Sequence, residues 1–129
     1  MVDPDEVKEW LKKAEEDRRV VEILLISGEE LTLPSMFHLQ QMLEKLLKAV
    51  ILVRVGSLER THDLTRLVNL AGVHQIDGLL ELCDTLNLFA VHGRYPGDLP
   101  EVSISAAKTY YATANGVRQQ LLNLLSTIY

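Results

Sequence analysis

Apolar residues recur along the chain at three- and four-residue steps, the period of an α-helix, in five segments. The segments predict helices over residues 5–27, 37–55, 63–71, 77–89 and from 103 or 105 to about 128, with Pro34 and Ser35 as a start signal for the second. Glycines at positions 28, 56 and 72 supply left-handed stops, and Thr61 is a candidate N-cap for the third helix. No run alternates in the manner of a strand. The pattern therefore predicts an all-α fold, a four/five-helix up-and-down bundle.

One stretch cannot continue a helix. Residues 91–100 hold two glycines and two prolines, and they separate the fourth predicted helix from the fifth. We expect an irregular loop there, with Ser103 or Ser105 capping the helix that follows.

Composition favours one globular domain over residues 1–129, because 47% of the residues are hydrophobic and 24% are charged. No N-terminal apolar signal and no run long enough for a membrane span is evident. The only cysteine, Cys83, cannot form an internal disulfide. We therefore expect a soluble, cytoplasmic protein that binds no metal and needs no cofactor.

Charge is distributed unevenly. The net charge of −5 belongs to residues 1–37, which hold ten acidic and five basic side chains. The remainder is neutral on average, so no general basic face for nucleic acid is evident, although a local basic cluster can still bind one phosphate group.

The last predicted helix carries little charge, since only Lys108 and Arg118 are charged from residue 103 onward. A helix with one face in water usually carries more. Either this is a central helix surrounded by its own chain, or part of it or of the second helix is covered by a second subunit in a homodimer.

The second predicted helix carries a polar row opposite its apolar face. His38, Gln41, Lys45 and Lys48 fall at steps of three and four, with Glu44 beside them. The row is either a solvated face with a Glu44–Lys48 pair, or a polar seam in which the lysines meet Asp17 of the first helix or a ligand phosphate.

These residues carry a resemblance to the HEPN domain family. The run from Phe37 to Ala49 resembles the family pattern of an aromatic residue, His-x-x-Gln, then Glu-Lys-x-x-Lys-Ala. Further pieces follow or precede it in the family's order: Trp10-x-x-x-Ala14-x-x-Asp17, Gly56, Thr61-His62-Asp63-Leu64-x-x-Leu67 and Arg94-Tyr95-Pro96-Gly97. Together they span residues 10–97.

The resemblance implies a helical bundle that is commonly dimeric and often acts with a minimal nucleotidyltransferase in a two-component, toxin–antitoxin-like system. Many members are RNases that use an Arg, four to six residues, then a His. Here Arg54 and His62 are separated by seven residues, as are Arg66 and His74. The RNase mechanism is therefore not carried over, and we name no catalytic residue.

The sequence leaves three hypotheses. The first is a nucleotide- or RNA-binding interaction module whose ligand is held by Lys45, Lys48, Arg54, His62, Arg94 and Tyr95. Its structural polar seam would be Asp17, His38, Gln41 and Glu44. The second is a metal-independent RNase with a variant Arg54/His62 site. The third is a purely structural dimerisation partner.

Two other chemistries are disfavoured. Glu59 and His62 match the Glu-x-x-His of di-iron bundles, but the sequence holds one copy where two are needed. Cys83 lies between leucines on the fourth helix, so an inert buried thiol is favoured over a nucleophile.

Overall fold

The structure, a computed structural model, describes the backbone of residues 3–90 and 96–128 and the side chains of residues 3–90 and 97–127. The described parts contain five α-helices and no strand. These are α1 (Pro4–Ile26), α2 (Thr32–Arg54), α3 (Leu64–Ala71), α4 (Leu79–Leu86) and α5 (Ile104–Ile128). Short 3-10 helices occupy Asn87–Phe89 and Pro96–Asp98. The predicted all-α fold is confirmed.

Helix α2 is the centre of the bundle, and it packs against α1, α3, α4 and α5. Fourteen of its 23 residues are buried, and they include Gln40, Glu44 and Lys48 as well as the apolar stripe. Because neighbours cover α2 on several sides, Glu44 and Lys48 of its polar row are buried, and His38, Gln41 and Lys45 are partly covered. The predicted Glu44–Lys48 pair forms, but it lies inside the bundle, so the interpretation of the row as a solvated face is wrong.

Helix α5 buries a single stripe. Its fully covered positions recur at the helical period: Ala107, Ala114, Val117, Leu121 and Leu125. The residues between them are partly covered, as Tyr110 and Leu124 are, or exposed. The interpretation of α5 as a central helix surrounded by its own chain is therefore wrong, because α2 has that place.

The helix ends follow local capping chemistry. The N-cap of α3 is Asp63, whose carboxylate accepts from the Thr65 N–H at 3.0 Å. Thr61, the predicted cap, instead accepts from the Asp63 N–H at 3.1 Å. Gly72 ends α3 in the left-handed conformation at φ 71°, as predicted. Ser103 Oγ caps α5 by accepting from the Ala106 N–H at 3.0 Å.

Two boundaries differ from the prediction. Helix α2 begins at Thr32, before Pro34, because proline is tolerated in a first helical turn. Helix α4 begins at Leu79, after Gly78 at φ 78°, so the segment predicted as helix from residue 77 starts later.

A charged network joins α1 to α5 at the surface. Arg18 donates to Glu15 and Glu22, and the Tyr111 hydroxyl donates to Glu22 at 3.0 Å. Arg118 of α5 donates to Glu15 at 3.0 Å. Hydrogen bonding from Arg18 lowers the pKa of Glu15, so this carboxylate stays ionised in the folded protein.

None of the helices in the described residues combines the length and the apolar character that crossing a bilayer requires.

Candidate functional site

Two clusters, each built from a carboxylate, a lysine and a histidine, lie along the polar row of α2. The first, here called the closed cluster, is Asp17, His38 and Lys45. Asp17 Oδ1 lies 2.9 Å from His38 Nδ1, and Lys45 Nζ donates to Asp17 Oδ2 at 2.5 Å. The Asp17 side chain is 10% exposed, and the His38 and Lys45 side chains are 30% and 21% exposed. The closed cluster thus fixes α1 against α2.

The second, here called the open cluster, is Gln40, Glu44, Lys48 and His62. Glu44 accepts from Gln40 Nε2 at 3.0 Å and from Lys48 Nζ at 3.1 Å. His62 Nδ1, from the loop before α3, lies 3.0 Å from Glu44 Oε1. The Glu44 side chain is 5% exposed whereas the His62 side chain is 62% exposed. The open cluster therefore connects a buried carboxylate to the protein surface through an imidazole.

Neither Lys45 nor Lys48 has an ammonium group that is available to bind a phosphate. Lys45 is held by Asp17, and Lys48 is held by Glu44 with its ammonium 5.4 Å from the centre of the Trp10 ring. A phosphate at either ammonium would compete with a buried carboxylate, which would lose its lysine counter-charge, and such a loss is costly. Gln41 donates to Gln40 Oε1 at 2.6 Å and extends the open cluster along α2.

A surface pocket of about 330 Å³ lies beside His62, lined also by Asp63, Asn87 and Ala90. Asn87 Oδ1 accepts from the Leu64 N–H at 2.8 Å, and Asn87 Nδ2 donates to Asp63 Oδ1 at 3.1 Å. These bonds fix the wall of the pocket to the first turn of α3. The sequence offered no signal for Asn87, because its role depends on a contact across 23 residues.

Arg54 has a structural task of its own. Its Nη1 donates to the Ala71 carbonyl at 2.8 Å and to the Gly72 carbonyl at 3.3 Å, at the C-terminus of α3. A cation there is favourable because the last carbonyls of a helix carry partial negative charge. His62 is anchored to Glu44, which precedes Arg54 by ten residues on α2 and lies about 15 Å from it along the helix axis. The described contacts thus anchor Arg54 and His62 at different points of α2.

Two of the predicted site residues, Arg94 and Tyr95, lie outside the described residues. They come four and five positions after Ala90, which lines the His62 pocket.

Metal binding and a cysteine nucleophile are the remaining chemistries that the sequence raises. They contain no cluster of three or more metal-ligating side chains. Burial raises the pKa of the Cys83 thiol to about 12, so Cys83 is not a nucleophile at neutral pH.

Comparison with known proteins assigns the chain to a family. Residues 7–124 match the family model of the HEPN domain. Neither the curated proteins nor the solved structures provide a match. The family match indicates a nucleotide- or RNA-related module in general terms. It covers nearly the whole chain and all five helices, and the chain belongs to the HEPN domain family.

Proposed function

We propose that this chain is a nucleotide- or RNA-binding interaction module that holds its ligand at the His62 pocket. The observation that carries the proposal is the pairing of an exposed imidazole with a buried carboxylate at the mouth of a pocket. The family match supports the ligand class.

The geometry suits a nucleobase better than a bare phosphate. An imidazole ring held through Nδ1 by Glu44 loses little freedom when a flat base stacks on it, so the cost of ordering the site is low. Asp63 and Asn87 offer polar atoms of the kinds that recognise base edges. A volume of about 330 Å³ lies at the small end of ligand pockets and fits one base.

The phosphate of the ligand needs a cation that no carboxylate holds. Lys45, Lys48 and Arg54 are each engaged with protein groups. We therefore propose Arg94 as the phosphate contact and Tyr95 as a second stacking surface, since both follow Ala90 closely in sequence.

Thermal unfolding in the presence of ATP or a short single-stranded RNA tests the proposal. A ligand at 100 times its Kd stabilises the folded state by about 2.7 kcal/mol, so the Tm rises with ligand concentration. His62→Ala should abolish this rise. The matched control is His74→Ala, at another exposed loop histidine, which should keep it. No rise for the wild-type protein with either ligand at millimolar concentration would refute the proposal.

The partner proposals rest on the family resemblance. We propose that the chain acts in the cytoplasm as a homodimer, together with a minimal nucleotidyltransferase in a two-component, toxin–antitoxin-like system. Sedimentation tests the dimer, because a species of only 14.6 kDa at micromolar concentration would contradict it. Co-expression with a minimal nucleotidyltransferase, followed by co-purification, tests the partner.

A second candidate function is metal-independent RNA cleavage. It is favoured by one observation, that Glu44 orients His62 as the carboxylate of a general-base pair orients its imidazole. Single-stranded RNA should then be cut in the presence of EDTA by the wild-type protein but not by His62→Ala. Binding without cleavage in the wild-type protein leaves the interaction module as the function.

A further inference from the structure

A groove of about 750 Å³ runs between the α1–α2 turn and the start of α5. It shares no lining residue with the His62 pocket. Its apolar side chains include Leu33, Leu99 and Val102, and Leu33 is 41% exposed although it is a large aliphatic side chain. The groove therefore leaves apolar surface in contact with water.

Acidic side chains border this apolar surface. Glu30 and Glu101 line the groove, and none of the described residues that line it is a lysine, arginine or histidine. Both glutamates lie in the short segments that line the groove, residues 30–33 and 99–106, and these segments contain no basic residue. A ligand phosphate would be repelled here, so the groove is unsuited to the nucleotide chemistry of the His62 pocket.

The groove combines an apolar lining with an acidic border. Leu33, Leu99 and Val102 supply the apolar part, and Glu30 and Glu101 supply the charge. An apolar centre with a polar rim is the usual anatomy of a protein-binding site.

We propose that this groove is the docking site for a segment of a partner protein that pairs a bulky aliphatic side chain with lysine or arginine. The aliphatic side chain packs on Leu33, Leu99 and Val102, and the basic side chains pair with Glu30 and Glu101. Such rim pairs act mainly on association rate and partner choice, whereas the buried aliphatic contact supplies most of the affinity.

Fluorescence anisotropy with a synthetic probe tests the proposal independently of nucleotide binding. The probe is a short labelled peptide that alternates leucines with lysines, and its partner probe carries glutamates in place of the lysines. We expect the lysine peptide to bind, more weakly as salt is raised, and the glutamate peptide not to bind.

Matched charge reversals locate the binding. Glu30→Lys/Glu101→Lys should weaken the lysine peptide by about tenfold or more. Glu16→Lys/Glu81→Lys makes the same change in net charge at exposed positions away from the groove, and it should have little effect. Equal loss in both double variants would show non-specific attraction and overturn the proposal, as would absence of binding at millimolar peptide.

A substitution at Leu33, in the apolar lining of the groove, distinguishes a partner segment from a second copy of this chain as the occupant. Leu33→Glu should abolish peptide binding while the thermal shift with nucleotide stays unchanged, which separates this proposal from the His62 site. If Leu33→Glu instead converts a dimer to a monomer and the peptide never binds, the occupant is a second copy of this chain and the proposal fails.

Discussion

The closed and open clusters use the same three kinds of side chain and differ in where their histidines lie. Asp17 and Glu44 are both buried, and each contacts one lysine and one histidine. In the closed cluster the histidine comes from α2 itself and is mostly covered. In the open cluster it comes from a loop and is mostly exposed. Similar electrostatics thus fix helix packing in one place and hold an exposed imidazole beside a surface pocket in the other.

The largest expected difference between the clusters is the loss of stability when the charge of each carboxylate is removed. Glu44→Gln should reduce the free energy of unfolding by about 3 kcal/mol, because it leaves the buried Lys48 ammonium without its counter-charge. Asp17→Asn should cost about 1–2 kcal/mol, because Lys45 and His38 are exposed enough to gain water contacts. Urea unfolding of both variants measures the difference. The reverse order would break the comparison.

A double substitution sharpens the same point. Adding Lys48→Met to Glu44→Gln removes both buried charges and should recover about 1–2 kcal/mol relative to Glu44→Gln alone. Lys45→Met added to Asp17→Asn should recover less, since its ammonium is already partly hydrated. Urea unfolding of the two double variants gives both recoveries. Equal recoveries would mean that burial does not distinguish the clusters.

The surface network between α1 and α5 is exposed to solvent, and its expected contribution to stability is smaller than that of either cluster. The folded-state pKa of Glu15 is lowered below its ordinary value of 4.5. Its stabilisation is therefore present above that value and is lost as the pH falls through the lowered folded-state value. The Glu15 side chain is 39% exposed, and solvent screening keeps the contribution below about 1 kcal/mol.

Removing the Glu15 carboxylate should reduce the loss of folding stability that occurs as the pH falls. The free energies of unfolding of the wild-type protein and Glu15→Gln are compared by urea unfolding at pH 7 and at about pH 3. Glu15→Gln should be less stable than the wild type at pH 7 and close to it at the lower pH. A constant difference between the two pH values would contradict the assignment.

Much of the fold follows from the sequence because helical period and capping are local properties. The helix over the last segment and the stop at Gly72 are predicted on that basis and are confirmed. The central place of α2 could not be predicted, since periodicity shows which face is apolar but not how many neighbours cover a helix. Its polar residues are buried because α1 and the loop before α3 supply their partners.

Less of the candidate site than of the fold could be predicted from the sequence. His62 was identified through the resemblance, but its bond to Glu44 joins residues 18 positions apart and depends on the path of the α2–α3 loop. Asn87 depends on a still longer contact. The sequence names both candidate partners, Glu44 for Lys48 and Asp17 for the lysines of the row, but it leaves open whether a carboxylate or a ligand phosphate holds them. The packed helices show that carboxylates hold both lysines.

The most direct test is a nitrogen–proton NMR spectrum of the imidazole side chains during titration with ATP or a short single-stranded RNA. The histidines of the two clusters serve as site and internal control in one sample. We predict that the His62 signals shift in a saturable way while those of His38 stay in place. Saturable binding with His62 unmoved would contradict the central claim that the open cluster is the ligand site.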